Sequence, residues 1–214
     1  MKLIKSAAIP LLLLALGLPK LASAADAWYV SGDWSRATYS GLKQNNGAPI
    51  GPYQNDSVGA YRLATGIAVN DDVTVEFGYV SFSDAYAGTV PELGNGQSCC
   101  VLGSSSDVVS AAGLVVEAVG TYPLSPSWSL FGRAGGFYAG TTIDHTLVTG
   151  AFSSMTSVYN YNHLEATVGL GVRWNFAQYW GAHLAWDYYA GAGSNDYTSG
   201  YSVRTLAVGV DYYF

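Results

Sequence analysis

Histidine is the side chain in this sequence best suited to acid–base catalysis. His145 lies in the triplet Asp144-His145-Thr146, with Ser153 and Ser154 a few residues further on. A serine hydrolase needs this combination, because the imidazole accepts the proton of the serine hydroxyl. However, the chain has no G-x-S-x-G turn, and these residue types are common in solvated loops. The favoured interpretation is a loop histidine without a catalytic role, and the sequence predicts no enzyme.

The other histidines and the two cysteines show no metal-ligand spacing. His163 lies near a strand end and His183 within a strand, and neither lines up with a nucleophile. Cys99 and Cys100 are adjacent in a loop-like stretch with no histidine nearby, which argues against zinc. A disulfide between neighbours strains the linking peptide, but free thiols rarely persist in an oxidising compartment. Two functional alternatives, a redox-labile bridge between the two cysteines and a crosslink to a partner, therefore stay open beside the favoured interpretation of an incidental pair. No cofactor is predicted.

Isolated charged residues form a third group, and their role depends on the elements that carry them. Apolar residues alternate with small or polar ones in eight segments, most clearly in HLEATVGLGVRWNF and in the final RTLAVGVDYYF. Period two is the pattern of a strand with one apolar face. No segment keeps a helical period over three turns. The sequence therefore predicts eight strands.

The face opposite the apolar one decides the environment of these strands. It carries glycine, alanine, serine, threonine and single charges, whereas a soluble surface would be dense in lysine and glutamate. Only 11% of the residues are charged and 14% are aromatic. Tryptophan and tyrosine end the apolar faces, as they do at membrane interfaces. The pattern favours lipid outside and a tight interior; a soluble lipocalin-like barrel is the alternative.

The connections between the strands alternate in length. Three are short, at 70–72, 123–127 and 177–179, and four are long, at roughly 37–56, 84–106, 141–160 and 190–200. Short turns at one end and long loops at the other are typical of outer-membrane barrels, whose long loops face outside. We therefore predict an all-β, eight-stranded antiparallel transmembrane β-barrel, an up-and-down meander in which the last strand pairs with the first around Trp28 to Trp34.

Since side chains alternate between the two faces of each strand, the residues opposite the lipid-facing ones are expected to point into the lumen, and these include a set of charged residues. This expected barrel-interior polar network comprises Asp33, Arg62, Glu76, Glu117, Arg133, Arg173, His183 and Asp187, and Glu165 shares the face. The lumen of such a barrel is just wide enough for side chains, and buried charges need partners. A structural plug is favoured, and a gated path for ions or water is the alternative. Asp211 and Tyr213 are expected near the periplasmic end, within reach of water.

The first 24 residues have the pattern of a secretory signal peptide. Lys2 and Lys5 precede an apolar run from Ile9 to Leu18, and Ala22-Ser23-Ala24 is a small-residue cleavage site. The expected domains are a signal peptide, 1–24, and a barrel domain, 25–214. Cleavage removes three of nine basic residues and none of 15 acidic ones, which leaves a net charge of about −9. So acidic a chain is a poor nucleic-acid binder.

The sequence resembles the small eight-stranded outer-membrane proteins of the OmpA type, in their transmembrane domain. The stretches that carry the resemblance are AWYVSGDWSRATY, VGTYPLSPSWSLFGRAGG, GLGVRWNF and VGVDYYF. The resemblance implies a monomeric or weakly associated barrel in the Gram-negative cell outer membrane. It also implies that Tyr212 and Phe214 form the signal read by the barrel-assembly machinery. No peptidoglycan-binding domain is expected after Phe214, so the resemblance does not imply a role in anchoring the cell wall.

The expected function is a structural or surface-interaction role in the cell envelope, with outer-membrane lipid and lipopolysaccharide around the barrel. Tyrosines among small polar residues in the long loops suit a surface ligand, since tyrosine offers large contact area at low entropy cost; these are Tyr39, Tyr53, Tyr86, Tyr159, Tyr161 and Tyr197. Two alternatives stay open: a narrow porin-like channel for ions or small solutes, and an outer-membrane enzyme that modifies lipid or cleaves protein.

Overall fold

The computed structural model describes residues 28–40, 43–44, 53–55, 57–92, 103–149, 153–191, 198–199 and 201–214. The predicted signal peptide and Cys99–Cys100 lie outside these residues. The eight long strands are β1 (Trp28–Ser40), β2 (Ser57–Ala68), β3 (Val73–Glu92), β4 (Gly103–Pro123), β5 (Trp128–Thr149), β6 (Ser153–Ala177), β7 (Trp180–Tyr189) and β8 (Ser202–Tyr213). Short strand segments at Lys43–Gln44, Tyr53–Asn55 and Thr198–Ser199 accompany them.

Every long strand pairs antiparallel with its neighbours in the chain, and the first pairs with the last. β1 lies against β8 from Tyr29↔Tyr213 to Ser40↔Ser202, which closes the sheet. Closure satisfies the backbone hydrogen bonds of both edges, as a lipid environment requires. The predicted eight-stranded antiparallel barrel is confirmed. In the described part of the chain, no helix is long and apolar enough to cross a membrane.

Tight turns connect the strands at one end. Asn70 accepts backbone hydrogen bonds from Asp72 and Val73 through its Oδ1 atom, at 3.0 and 2.9 Å, which holds the β2–β3 turn. Ser125 does the same for Ser127 and Trp128 in the β4–β5 turn. Short polar side chains that bond the backbone two or three residues on are the usual means of fixing such turns.

Strands β3 to β6 run much further from these turns than the sequence suggests. β5 reaches Thr149 and β6 begins at Ser153, so most of the predicted loop 141–160 is paired strand. The predicted loop 84–106 likewise contains the ends of β3 and β4. Both loop predictions are wrong. Beyond the apolar band both faces of a strand turn polar, so the alternation that marks strands fades while the β-branched content persists.

The outward face of the barrel is apolar across its width. Leu164 is 75% exposed and Trp34 69% exposed. The same face carries Leu63, Phe77, Leu114, Val116, Leu130, Leu170, Leu184, Leu206 and Val208, all exposed. Large apolar side chains exposed in such numbers mark a lipid-facing surface rather than a soluble one.

Aromatic side chains gather at the turn end of this band. Trp28 stacks on Phe214 with ring centroids 3.7 Å apart, and Tyr212 packs edge-on against Phe214 at 4.7 Å. Trp128 stacks on Trp174 at 5.8 Å. Rings at this level form the aromatic girdle of a membrane barrel.

Candidate functional site

The inward residues of the turn-proximal half form a layer of ionisable side chains. Eight of the nine charged residues that the sequence assigns to the interior are buried here, and the other, Glu165, is only half-buried. Asp211, the ninth member, was expected within reach of water, and that expectation is wrong because the side chain is fully buried. We call these nine the charged layer: Asp33, Arg62, Glu76, Glu117, Arg133, Arg173, His183, Asp187 and Asp211.

Arg62 sits at the centre of the acidic side chains. Its Nη2 atom donates to Glu76 and to Glu117 Oε2 at 2.7 Å, and Nη1 lies 3.6 Å from Asp33 Oδ2. These residues come from β1 to β4, so one guanidinium ties four strands together. The pairing also explains their register, since Asp33 lies directly opposite Arg62 and Glu76 directly opposite Glu117.

Arg133 makes the other extended pair. Its Nε and Nη2 atoms each donate to Asp187 at 2.7 Å, the two-point geometry that suits guanidinium and carboxylate. Thr205 donates a further hydrogen bond to Asp187 Oδ2 at 3.1 Å. The pair links β5 to β7 over Gly169 of β6, which lies opposite both residues in the register, so it joins two strands that are not paired with each other.

The third group lies nearest the turns. Asp211 Oδ2 accepts a hydrogen bond from Arg173 Nε at 2.9 Å and lies 3.1 Å from His183 Nδ1. His183 Nε2 lies 3.0 Å from Asp33 Oδ1, so the imidazole bridges two carboxylates. The Arg173 guanidinium lies over the rings of Phe131 and Tyr29, 5.0 and 5.1 Å from their centroids, which adds cation–π attraction.

Hydroxyl groups donate further hydrogen bonds to three of the carboxylates in the charged layer. Tyr29 donates to Glu76, Ser31 to Asp33 Oδ1 at 3.0 Å and Thr167 to Glu117 Oε1 at 3.0 Å. Sequence reasoning missed all three, although their parity already placed them on the inward face. Buried carboxylates with several donors are the arrangement in which a buried ion pair is tolerated.

Above the charged layer the lumen is filled by aromatic rings. Five buried side chains, which we call the aromatic layer, meet there: Tyr39, Phe82, Phe137, Tyr189 and Tyr201. Phe82 contacts Phe137 and Tyr189 edge-on, with centroids 6.0 and 5.2 Å apart, and Tyr39 lies 5.4 Å from Tyr201. Edge-to-face contacts at this range are favourable beyond the area they bury. The sequence placed Tyr39 among exposed loop tyrosines, which is wrong.

The predicted loop tyrosines Tyr159 and Tyr161 also belong to a strand. Both lie on β6 on the same face as His163, half-buried, and pack against the aromatic layer. Their rings stack at 6.5 Å, and Tyr161 stacks on His163 at 6.2 Å. The side chains of Tyr53 and Tyr86, and the whole of Tyr197, lie outside the described residues.

The triplet considered for hydrolysis lies on a paired strand rather than in a loop. The backbone of Asp144 to Thr146 pairs with 156–158 of β6, while the side chains of His145, Ser153 and Ser154 lie outside the described part. His163 stacks on Tyr161, and His183 bridges carboxylates in the charged layer. Among the described residues no cluster of histidine, cysteine, aspartate and glutamate is arranged to hold a metal ion.

The model of one protein family matches residues 8–214, described as the outer membrane protein beta-barrel domain. The chain belongs to this family. Membership places the barrel in the outer membrane and agrees with its closed sheet and apolar outer face. No curated protein matches the sequence.

Solved structures of several other proteins share the fold of this outer-membrane barrel. Neisserial surface protein A matches with a TM-score of 0.56 at 13% identity, over 90% of this chain and 100% of that one. Ail of Yersinia pestis, in complex with the heparin analogue sucrose octasulfate, gives 0.51 at 14% identity, over 87% and 97%. OprG of Pseudomonas aeruginosa gives 0.50 at 14%, over 88% and 96%. At these identities the likeness concerns the fold.

Proposed function

We propose that this outer-membrane barrel is a closed structural protein of the cell envelope that interacts with its surroundings through its extended strands and does not conduct. The observation that carries the proposal is the filling of the lumen by two successive layers. The charged layer occupies the turn-proximal half and the aromatic layer lies above it. An ion crossing the barrel would have to displace both.

The energetics of the two layers support closure. Opening the charged layer separates pairs such as Arg133–Asp187, which are buried on both sides, and stripping one partner from a buried pair costs about 3–5 kcal/mol. Opening the aromatic layer exposes rings such as Phe137, which is fully buried. Either step alone is large beside thermal energy, so fluctuations of single side chains do not produce a continuous polar path.

A surface role is supported by the length of β5 and β6. The β6–β7 pairing ends at Thr167↔Tyr189, yet β6 begins at Ser153. About 14 residues of β6 therefore continue, paired with β5, for about 45 Å of strand at a rise of about 3.3 Å per residue. On this extension the stacked Tyr159, Tyr161 and His163 form a row of half-buried rings, and the exposed parts of such rings provide contact area of the kind found at recognition surfaces.

Export and assembly complete the proposal. We infer that residues 1–24 direct export from a Gram-negative cytoplasm and that Tyr212 and Phe214 are read by the barrel-assembly machinery. The stacking of Phe214 on Trp28 places this terminal pair at the seam between β1 and β8, where an assembly factor would act on the closing strand.

Closure is tested by inserting the purified barrel into planar lipid bilayers. We expect no discrete current steps at potentials of about 100 mV, with a wide porin as positive control and heat-unfolded barrel as blank. Steps of reproducible size would contradict the proposal and favour the narrow channel.

The surface role is tested separately on whole cells. Cells that display the barrel are compared for attachment to immobilised glycans and extracellular proteins with cells that display Tyr159→Ser/Tyr161→Ser. The matched control is Asn160→Ser, on the opposite face of the same strand. We expect the double variant to reduce attachment and the control to leave it unchanged; equal attachment by all three would refute a role for these rings.

A further inference from the structure

The outward face of β1 and β8 carries two arginines that take no part in the charged layer. Arg36 and Arg204 are both exposed and point to the lipid side, because Ala37 and Thr205, their neighbours in sequence, are buried inward. Without the signal peptide the chain keeps only six basic residues, and three of these are in the charged layer. Two of the remaining three therefore share one small patch of the outer surface.

The register shows that the two arginines are neighbours. Arg36 pairs with Leu206 and Arg204 with Thr38 across the closing seam, so the two occupy diagonal positions on one face. Diagonal neighbours of this kind lie about 7–8 Å apart, within mutual reach of two long arginine side chains. We call this pair the seam arginines.

Their height matches the edge of the apolar band. Arg36 lies about eight residues along β1 from Trp28, and Arg204 about ten residues before Phe214, both of which mark the turn-end girdle. At a rise of about 3.3 Å per residue and a strand tilt of about 40°, these spacings correspond to heights of roughly 20 and 25 Å. The band of an outer-membrane barrel is about 25 Å tall, so the seam arginines lie at its loop-end boundary.

No carboxylate of the flanking strands neutralises the seam arginines. The residues paired with them are Gly59 on β2, opposite Arg36, and Tyr188 on β7, opposite Arg204. Within the described part of the chain Arg36 makes one polar contact, a hydrogen bond from Nε to Ser57 Oγ at 2.5 Å, and this bond uses neither terminal nitrogen. Among the described residues no ion pair involves either arginine. Two adjacent cations at a membrane boundary repel one another unless an anion lies between them.

We propose that the seam arginines bind phosphate groups of the outer-leaflet glycolipid, the diphosphorylated lipid A part of lipopolysaccharide. Guanidinium binds phosphate through two parallel hydrogen bonds, and the site lies where lipid headgroups meet the barrel. Below it the apolar Leu206 and Trp34 contact the acyl chains. The loop-end position selects the outer leaflet, and two adjacent cations suit a lipid that carries two phosphates.

The experiment measures lipid-dependent stabilisation of the folded barrel. Purified barrel is refolded into phosphatidylcholine bilayers, and lipid A is added with both phosphates, with none, or replaced by phosphatidylglycerol. The unfolding midpoint is followed by the heat-dependent gel mobility of the folded form. We expect diphosphorylated lipid A to raise the midpoint of the natural chain, and the phosphate-free lipid to leave it unchanged.

Three variants isolate the seam arginines. Arg36→Ala/Arg204→Ala should remove the phosphate-specific rise and weaken binding about tenfold per arginine, about 1.4 kcal/mol each. Arg36→Lys/Arg204→Lys, which keeps the charge but loses the two parallel hydrogen bonds to phosphate, should retain only part of the rise. Thr38→Ala, between the two arginines on the same face, is the neutral control. In pure phosphatidylcholine all variants should unfold within about 2 °C of the natural chain, since none of these side chains is buried.

Three results would overturn the proposal. One is an equal rise in the double alanine variant and the natural chain. Another is an equal rise with phosphate-free lipid A, which would make the acyl chains responsible. A third is an equal rise with phosphatidylglycerol, which would reduce the site to a general contact with anionic lipid.

Discussion

Replacing Asp211 by asparagine distinguishes a buried charge from one that water can reach. The side chain is fully buried, accepts a hydrogen bond from Arg173 at 2.9 Å and lies 3.1 Å from His183. Asparagine keeps the volume but removes the charge that both partners face. A water-accessible carboxylate would cost less than about 1 kcal/mol to neutralise, whereas an uncompensated buried partner costs about 3–5 kcal/mol.

We expect Asp211→Asn to lower the free energy of unfolding by about 3 kcal/mol, at the lower end of that range. The rings of Phe131 and Tyr29 face the Arg173 guanidinium, and their cation–π attraction remains in the variant. The measurement is equilibrium urea unfolding in phosphatidylcholine vesicles, followed by tryptophan fluorescence. The free energy of unfolding falls linearly with urea concentration, and its slope reflects the surface that unfolding exposes. An unchanged slope would show that the variant lost stability without a change in that surface.

Two companion variants decide what the loss means. Asp71→Asn makes the same chemical change in the exposed β2–β3 turn and should stay within about 0.5 kcal/mol. Arg173→Met/Asp211→Asn removes both partners, and a buried pair lost together costs less than the sum of the single losses. A loss below about 1 kcal/mol for Asp211→Asn, or strict additivity in the double variant, would refute the buried-pair reasoning.

Three further predictions address packing and assembly. Phe137→Ala should lower the free energy of unfolding by about 3–5 kcal/mol in the same urea assay, because a fully buried ring leaves a cavity; a loss under 1 kcal/mol would argue against a packed aromatic layer. Gly113→Ala should fail to refold or lose more than about 2 kcal/mol, since its Cβ would lie 1.9 Å from the Tyr138 carbonyl oxygen. Gly120 lies on the same strand, and a Cβ there would meet no atom within 4 Å, so Gly120→Ala should leave the free energy of unfolding unchanged. Equal losses in the two alanine variants would contradict the geometry. Phe214→Ala should lower the amount of assembled barrel in cells far more than its refolding yield into pure lipid, and matched losses in both would favour a packing role alone.

Period-two alternation was enough to predict the barrel, the strand number and the inward position of residues such as Arg62 and Glu117. It failed where the environment of a strand changes along its length. The sequence around 141–160 mixes polar and apolar residues on both faces, so a strand there looks like a loop until pairing is known. Asp211 was misjudged because its position near the periplasmic end suggested contact with water, but Arg173 of β6 and His183 of β7 enclose it.

The aromatic layer shows most clearly what pairing adds. Four of its rings stand on different strands and the fifth, Tyr201, directly precedes β8. Tyr39, Tyr189 and Tyr201 lie at strand ends, where the sequence suggests turns and loops. Nothing in a single strand indicates that Phe82 meets Phe137 and Tyr189. Their meeting follows from the register of the whole closed sheet, which sets five side chains at one height inside the lumen.

The sequence by itself determined the class of the molecule, because side-chain parity is a property of each strand and lipid selects one parity for every strand at once. It therefore also determined which charges face inward. The tertiary structure alone decided which of these charges pair, which rings close the lumen and that Arg36 and Arg204 share a patch. The two arginines are 168 positions apart in the sequence, and only the closure of β1 on β8 brings them within reach of one another.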